Sequence, residues 1–206
     1  MSSRHRKRLG ISLPKRILIL CEGESEIIYL KGYQSDEKNR RKLSGAQIEL
    51  YQPENYSPYG LLEEAKRRVQ EAKREKYLFD QVWIVFDRDG HAYIPKTFQE
   101  AHDAKICIAF SLISFEYWIL LHFEKSRRYY PKCDSLVHYI ERKKYISEYG
   151  KTNYYSKIRE YQASALENSQ WLHKQNESDL NRGIKIYNLP AYTNFDELFL
   201  ALQKIL

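Results

Sequence analysis

The sequence predicts an α/β protein in which helices flank a mostly parallel β-sheet. Apolar runs of strand length lie at residues 17–21 and 81–86, as expected of strands that are buried on both faces. Segments with helical spacing of apolar residues alternate with strand patterns throughout residues 16–124. From residue 129 onward the patterns become mainly helical, so we expect a helical appendage after the sheet.

The individual elements follow from these patterns in chain order. Strands are expected at residues 17–21, 47–52, 81–86 and 105–110. Helices are expected after the turn at residues 22–26, at 59–76, after Pro95, and after Ser114, which is the predicted cap of its helix. Three later helices are predicted at residues 134–148, 153–173 and 194–206.

Composition favours one soluble domain with additions at its ends. The 206 residues, 43% of them hydrophobic and 30% charged, are typical of a globular protein. We divide the chain into a flexible basic arm at 1–14, an α/β core at 15–125 and a mainly helical extension at 126–206 that packs on the core. No apolar run approaches the roughly 18 residues that cross a bilayer. Without a secretory signal pattern, and with three unpaired cysteines, a cytoplasmic location is expected.

The positive charge is concentrated at the N-terminus. The formal net charge is +7, but residues 1–16 contain six basic residues and no acidic one. Removing these six from the 34 basic residues leaves 28 against 27 acidic residues, so the body is nearly neutral. The arm suits salt-sensitive contact with phosphates, and it equally suits a solvated tail.

Acidic residues follow two of the predicted strands. Glu22 follows the first strand, and Asp87 and Asp89 follow the third, where the period-two geometry of extended chain places them on one side. Because the carboxyl ends of parallel strands form the ligand crevice of α/β sheets, we expect these three carboxylates to converge. Their repulsion requires a raised pKa or a cation. Oxygen ligands favour Mg²⁺ or Mn²⁺, and no Cys/His cluster suggests zinc.

Each cluster also has a simpler explanation. Asp-x-Asp-Gly after a strand is often only a turn, because Asp and Gly suit turn geometry. Glu24 and Glu26 are favoured at a helix start by the helix dipole, whatever their function. The coincidence of two acidic strand ends in one sheet favours the metal site over either explanation.

Three segments resemble the RloB family. They are Ile17-Leu-Ile-Leu-Cys-Glu-Gly-Glu-Ser-Glu26, Val82-Trp-Ile-Val-Phe-Asp-Arg-Asp89 and Ser114-Phe-Glu-Tyr-Trp-Ile-Leu-Leu-His-Phe123. The resemblance runs from about Lys15 to the C-terminus and includes Asn188-Leu-Pro-Ala-Tyr-Thr-Asn194 before the last helix. Members are encoded beside an ABC-type ATPase in bacterial restriction and abortive-infection loci. Their core is similar to the Toprim fold of type IA topoisomerases, primases and OLD-type nucleases.

The resemblance implies roles for particular residues. Glu22 matches the Glu of the Toprim Glu-Gly pair, and Glu26 matches a second acid that nuclease relatives carry four positions later. Asp87 and Asp89 match the Toprim Asp-x-Asp, and Glu116 stands in a Phe-Glu-x-Trp element where it completes a metal shell. All five are candidate metal ligands, and Glu22, Asp87 and Asp89 are the candidate catalytic residues.

Several features near these motifs are less specific. Residues 113–115 read Ile-Ser-Phe where many relatives have Ser-Asn-Pro, a departure that puts the local geometry in question. His91 and Lys151 are candidate phosphate-binding residues, although a turn histidine and a solvated lysine explain them as well. Four tyrosines suit either stacking on unpaired bases or packing of the appendage: Tyr129, Tyr130, Tyr154 and Tyr155.

The resemblance implies a Mg²⁺-dependent nuclease that hydrolyses DNA or RNA and acts with a partner ABC-type ATPase in anti-phage defence. Two alternatives remain open. The chain is compatible with a non-catalytic regulatory subunit of that ATPase that carries a metal- or nucleotide-sensing acidic site. It is also compatible with a Toprim core that acts on a small nucleotide. Assembly of the chain into a homo-oligomer is compatible with each of these functions.

Overall fold

A computed structural model describes residues 14–53, 57–88, 90–146, 149 and 154–204. Asp89, Lys151 and the predicted arm up to residue 13 therefore lie outside the described residues. The strands are β1 (Lys15–Cys21), β2 (Ala46–Tyr51), β3 (Gln81–Asp87) and β4 (Cys107–Ser111). The helices are α1 (Glu24–Ser35), α2 (Glu37–Lys42), α3 (Pro58–Arg74), α4 (Ile94–Asp103), α5 (Glu116–Leu121), α6 (Cys133–Arg142), α7 (Tyr155–Ile158), α8 (Gln162–Asn181) and α9 (Phe195–Lys204).

The four strands form one sheet in the order β2-β1-β3-β4, and every neighbouring pair is parallel. This confirms the predicted fold class. From β1 the chain moves outward to β2, then returns across β1 to β3 and continues to β4 on the other side. The strand order therefore reverses between β1 and β3. In parallel α/β sheets, ligands bind beyond the carboxyl ends of the strands at such a reversal.

Helices cover both faces of the sheet because alternate strand residues point in opposite directions. On one face, β1 contributes Leu18 and Leu20 to a core that is closed by α3 and α4. On the other face, β1 contributes Ile17 and Ile19 to a larger core that includes α1, α5 and the C-terminal helices. The continuous apolar strands of the sequence thus reflect burial on both sides.

The segment before α9 covers the edge of the sheet. The backbone N–H of Leu112 donates to the Tyr192 carbonyl at 2.8 Å, and that of Asn194 donates to the Phe110 carbonyl at 3.1 Å. The Asn194 side chain accepts from the Phe110 N–H at 2.7 Å and donates to the Ile108 carbonyl at 3.0 Å. These bonds occupy edge groups of β4 that would otherwise be open to pairing with another chain.

Several predicted element bounds are wrong. The helix expected at 153–173 is divided by a 3₁₀ turn at Arg159–Tyr161, and its second part continues to Asn181. The helix expected to reach residue 148 ends at Arg142, since Lys144 adopts a left-handed φ of 58° and redirects the chain. Ser114 does not cap α5, because the turn at Phe115 already has helical angles and the Ser114 hydroxyl is buried.

The structure also describes the cysteines and the length and polarity of the helices. All three cysteines are free, as expected. Within the part of the chain that the structure describes, no helix has the length and apolar character of a membrane span.

The packing of α1 against α7 depends on Gly32. A Cβ atom at this position would lie 2.5–2.7 Å from the Tyr155 side chain. Gly32→Ala should therefore destabilise the protein by about 1–3 kcal/mol through overpacking. Helix propensity alone predicts the opposite, a gain of about 1 kcal/mol. Urea unfolding followed by circular dichroism measures the difference.

Gly45 provides the matched control, because a Cβ atom there would meet nothing within 4 Å. Gly45→Ala should leave the free energy of unfolding within about 0.5 kcal/mol of the wild type, as expected of an uncrowded surface site. A Gly32→Ala protein as stable as the wild type would contradict the close packing of these two helices.

Candidate active site

Two acidic residues meet where the strand order reverses. The backbone N–H of Glu22 donates to the Val85 carbonyl at 2.9 Å, so Glu22 continues the β1–β3 ladder by one residue. Asp87 is the last residue of β3 and pairs in register with Ser111 of β4. The backbone N–H of Asp87 in turn lies 3.4 Å from Glu22 Oε2. Parallel pairing of β1 with β3 thus brings both side chains to one end of the sheet.

Glu26 reaches the same cleft from the first turn of α1. Its side chain is buried, and its carboxylate lies so close to Gly23 that a Cβ atom there would overlap Oε2. Glycine at residue 23 therefore leaves the space that the Glu26 carboxylate occupies. Glu24, which precedes it by two residues, is exposed at the helix start, where its charge suits the helix dipole.

Glu116, the first residue of α5, supplies a further carboxylate. Its Oε1 accepts hydrogen bonds from the Tyr149 hydroxyl at 2.9 Å and from Ser25 Oγ at 3.4 Å. Its Oε2 accepts from the Cys133 thiol at 3.3 Å. Both oxygens of this buried carboxylate are therefore engaged by neutral donors, as a buried charge requires when no cation pairs with it.

The acids line a cleft of about 330 Å³, which is also walled by residues 113–115 and Cys133. Desolvation raises the pKa of Asp87 well above its usual range, and the charges of Glu26, Glu116 and Glu22 raise it further. The hydrogen bond from the Phe115 N–H to Asp87 Oδ2, at 3.1 Å, opposes this change without cancelling it. Desolvation and the Glu116 charge likewise raise the pKa of the Cys133 thiol to about 12.

The donor chemistry of the cleft fits a hard divalent cation, which prefers carboxylate oxygens. The present arrangement is not a closed ligand set: in the described residues, no group of three or more His, Cys, Asp or Glu side chains is positioned to hold a metal ion. Two of the carboxylates contact donors of the protein itself. Glu22 Oε1 lies 2.8 Å from His91 Nε2, and Glu116 is held by Tyr149 and Cys133.

The sequence-predicted site residues separate into three groups. The cleft contains Glu22, Glu26, Asp87 and Glu116. His91 lies beside them, where its ring contacts Glu22 and stays partly exposed. Asp89 and Lys151 fall outside the described residues, so their predicted roles stay predictions.

Tyr149, Cys133 and Ser25 also contribute to the site, and sequence reasoning missed them. Cys133 was predicted only to be an unpaired thiol, and no role was predicted for Tyr149. Neither lies near the acidic motifs in sequence, because both come from the region beyond α5. Only Ser25, inside the Glu22–Glu26 segment, carried a local signal, and Ser is common at any helix start.

The structure also distinguishes in part between the two roles expected for four tyrosines, which were base stacking and packing of the appendage. Tyr130, Tyr154 and Tyr155 are buried and pack against other aromatic rings of the fold. Tyr129 remains 63% exposed and is available for contact with a ligand.

A comparison with protein families bears on this arrangement of acids. A model of the family described as RloB-like protein matches residues 17–202, nearly the whole chain. The chain belongs to the RloB-like family. The matched range includes the acids of the cleft and the segment before α9 that covers the β4 edge of this RloB-like protein. Searches of curated proteins and of solved structures give no match to it.

The raised pKa of Asp87 predicts a stabilising substitution. A carboxyl that binds its proton more tightly when folded contributes stability at low pH and loses it as pH rises toward the folded pKa. Asp87→Asn removes that loss and keeps the acceptor for the Phe115 N–H. In EDTA, the variant should therefore gain stability over the wild type as pH rises from the unfolded pKa of about 3.9 to the raised folded pKa, by up to about 1.4 kcal/mol for each pH unit within that window.

Chemical unfolding at several pH values measures this difference. Asp103→Asn, at an exposed position on α4, is the matched control and should show no such divergence. Equal stability of Asp87→Asn and wild type at neutral pH would mean that the Asp87 carboxylate is not crowded by its neighbours.

Proposed function

We propose that this RloB-like protein is a Mg²⁺- or Mn²⁺-dependent Toprim-type nuclease that hydrolyses phosphodiester bonds of DNA or RNA. One observation carries the proposal: the predicted ligands Glu22, Glu26, Asp87 and Glu116 line one cleft, together with Glu24, where the strand order reverses. Like charges gathered in a desolvated cleft cost folding free energy. A cation that binds the folded state would recover this cost.

Glu22, Glu26, Asp87 and Glu116 would hold the ions, together with Asp89. When bound, a divalent ion neutralises charge on phosphoryl oxygens and lowers the pKa of an attacking water. Glu22 orients His91 through the 2.8 Å contact between Oε1 and Nε2, which places an imidazole at the edge of the cleft. His91 is thus positioned to exchange a proton with an oxygen of the reacting phosphodiester.

Metal binding is compatible with these hydrogen bonds, because an ionised carboxylate has about four lone-pair sites. Glu116 would hold an ion through the lone pairs that the Tyr149 hydroxyl and the Cys133 thiol leave open, and Glu22 would share its oxygens between the ion and His91. Carboxylates that bind metals are commonly held in place by such hydrogen bonds.

The cellular role that we propose is an effector of anti-phage defence in the cytoplasm, in partnership with an ABC-type ATPase. Charge supports the need for a partner. The chain beyond its first 16 residues is nearly neutral, whereas affinity for nucleic acids rests largely on phosphate neutralisation. A partner would add the missing surface and restrict activity to infected cells.

A regulatory subunit without catalysis is the second candidate. It is favoured by the absence of a ready-made ligand group among the described residues, and by the hydrogen bonds that occupy Glu116. In that function the acidic cleft would sense a metal or a nucleotide and report to the ATPase.

Incubation of the purified protein with mixed DNA and RNA separates the two candidates. Cleavage should require Mg²⁺ or Mn²⁺, and the partner ATPase is included in parallel reactions. Asp87→Ala should lower the rate by at least about a hundredfold, as loss of one electrostatic group does in other active sites. Asp103→Ala, on the exposed surface of α4, should retain the rate.

The same two variants can be expressed in a bacterial host. Toxicity that disappears with Asp87→Ala and persists with Asp103→Ala supports the nuclease. Toxicity unchanged by Asp87→Ala would sink it, and no cleavage under any combination despite measured metal binding would favour the regulatory subunit.

Gly23→Ala tests the ligand role of Glu26 without altering a carboxylate. The added methyl group would overlap Glu26 Oε2 and displace it from its place in the cleft. We expect Mn²⁺ affinity, measured by isothermal titration calorimetry, to fall by about tenfold or more, in the range that loss of supporting contacts costs at metal sites. Gly45→Ala is the control, and equal affinities would exclude Glu26 as a ligand in that position.

A further inference from the structure

A second cavity lies directly beside the acidic cleft. It has a volume of about 600 Å³ and shares Ile113 and Cys133 with the cleft. Four side chains of its wall have polar or aromatic groups open to solvent: Arg88, Tyr129, Lys132 and Asp134. We name this cavity the Arg88 groove.

We propose that the Arg88 groove binds an unpaired segment of nucleic acid, with phosphates on Arg88 and Lys132 and a base stacked on Tyr129. This inference rests on the proposed nuclease function and specifies its substrate as single-stranded. Stacking platforms combined with cationic side chains are how proteins hold single strands, because every base presents a π-face and every nucleotide a phosphate.

Charge is the first argument for this ligand. Arg88 and Lys132 are exposed, and no ion pair found among the described residues involves either of them. Asp134 also lines the groove, but it lies in the first turn of α6, where the helix dipole partly offsets its charge. The two cations therefore offer a positive wall next to a cleft that is otherwise acidic.

The position of Tyr129 is the second argument. Its neighbour Tyr130 is buried, with its ring 5.6 Å from Tyr139 and 6.3 Å from Tyr117. This anchoring fixes the chain on which Tyr129 stands 63% exposed. An aromatic ring held outward by a buried neighbour loses little conformational entropy when a base stacks on it.

Size and location are the third argument. A cavity of about 600 Å³ has the volume of a small-ligand site, so it suits about one or two nucleotides and is too small for a duplex. Arg88 directly follows Asp87, and its backbone N–H donates to the Ser111 carbonyl at 3.0 Å. A phosphate on Arg88 would therefore place the next phosphodiester of the strand near the carboxylates.

Fluorescence anisotropy in EDTA tests the groove without requiring metal or cleavage. The probes are a labelled DNA strand of about twelve nucleotides, the same sequence in RNA, and the DNA duplex. We expect either single strand to bind at least about tenfold more tightly than the duplex. Tyr129→Ala should weaken single-strand binding by about tenfold, and Tyr129→Phe, which keeps the ring, should retain it.

The cations are tested with Arg88→Gln combined with Lys132→Gln. Loss of two phosphate contacts should reduce the slope of log affinity against log salt by about 1.4 for a single strand. The matched control is Lys73→Gln with Arg74→Gln at the end of α3, a helix that runs back toward the opposite end of the strands. Tyr161→Ala, at a 47% exposed tyrosine, is the aromatic control.

Equal effects of the groove variants and their controls would overturn the proposal, and so would a duplex bound as tightly as the single strands. Failure of the nuclease function is recognised separately. Single strands that bind through the groove but are not cut with Mg²⁺ or Mn²⁺ would leave the groove intact and reject the nuclease. Metal-dependent cleavage that the groove variants do not alter would support the nuclease and reject the groove.

Discussion

The site depends on the parallel pairing of β1 with β3. This pair places the strand-order reversal between two strands that both end in an acid, and the Glu22 N–H extends the same ladder to Val85. Any other neighbour for β1 on that side would separate Glu22 from Asp87 by at least another strand spacing of about 4.8 Å. The chemistry of the cleft is thus a consequence of sheet topology, and the helices only add to it.

The buried and mutually repelling carboxylates of the cleft lower the free energy of unfolding, so the rest of the fold has to supply the stability. Burial and three neighbouring carboxylates raise the pKa of Asp87, and the backbone N–H of Phe115 acts in the opposite direction. The apolar layers on both faces of the sheet supply stability that does not depend on the site. A cation that bound these carboxylates, as we propose, would stabilise the folded state and offset this cost.

Sequence reasoning predicted the fold class and four acids of the cleft because both depend on local patterns. Residues 17–21 and 81–86 could be recognised as buried strands without knowledge of their partners. The contacts of Glu116 could not be predicted, since Cys133 and Tyr149 reach it from a region whose path is set by tertiary packing. The break at Arg159–Tyr161 was missed for the same reason: the residues around it form helix readily, and nothing local marks the turn.

The segment that covers the β4 edge is a second feature whose physical role the sequence did not reveal. Residues 188–194 were noticed only through family resemblance, whereas their physical role is to satisfy the outer backbone groups of β4. Asn194 can do this because its amide carries both a donor and an acceptor, matching one peptide unit of a missing strand. The carboxyl end of the sheet lies beside this closed edge and carries the acidic cleft. There, the acids that we propose as cation ligands lie beside Arg88 and Lys132, which we propose as phosphate contacts. The proposed division suits a substrate that arrives already neutralised by metal or already held by a partner, because the chain beyond its first 16 residues is nearly neutral and capture of a polyanion rests largely on phosphate neutralisation.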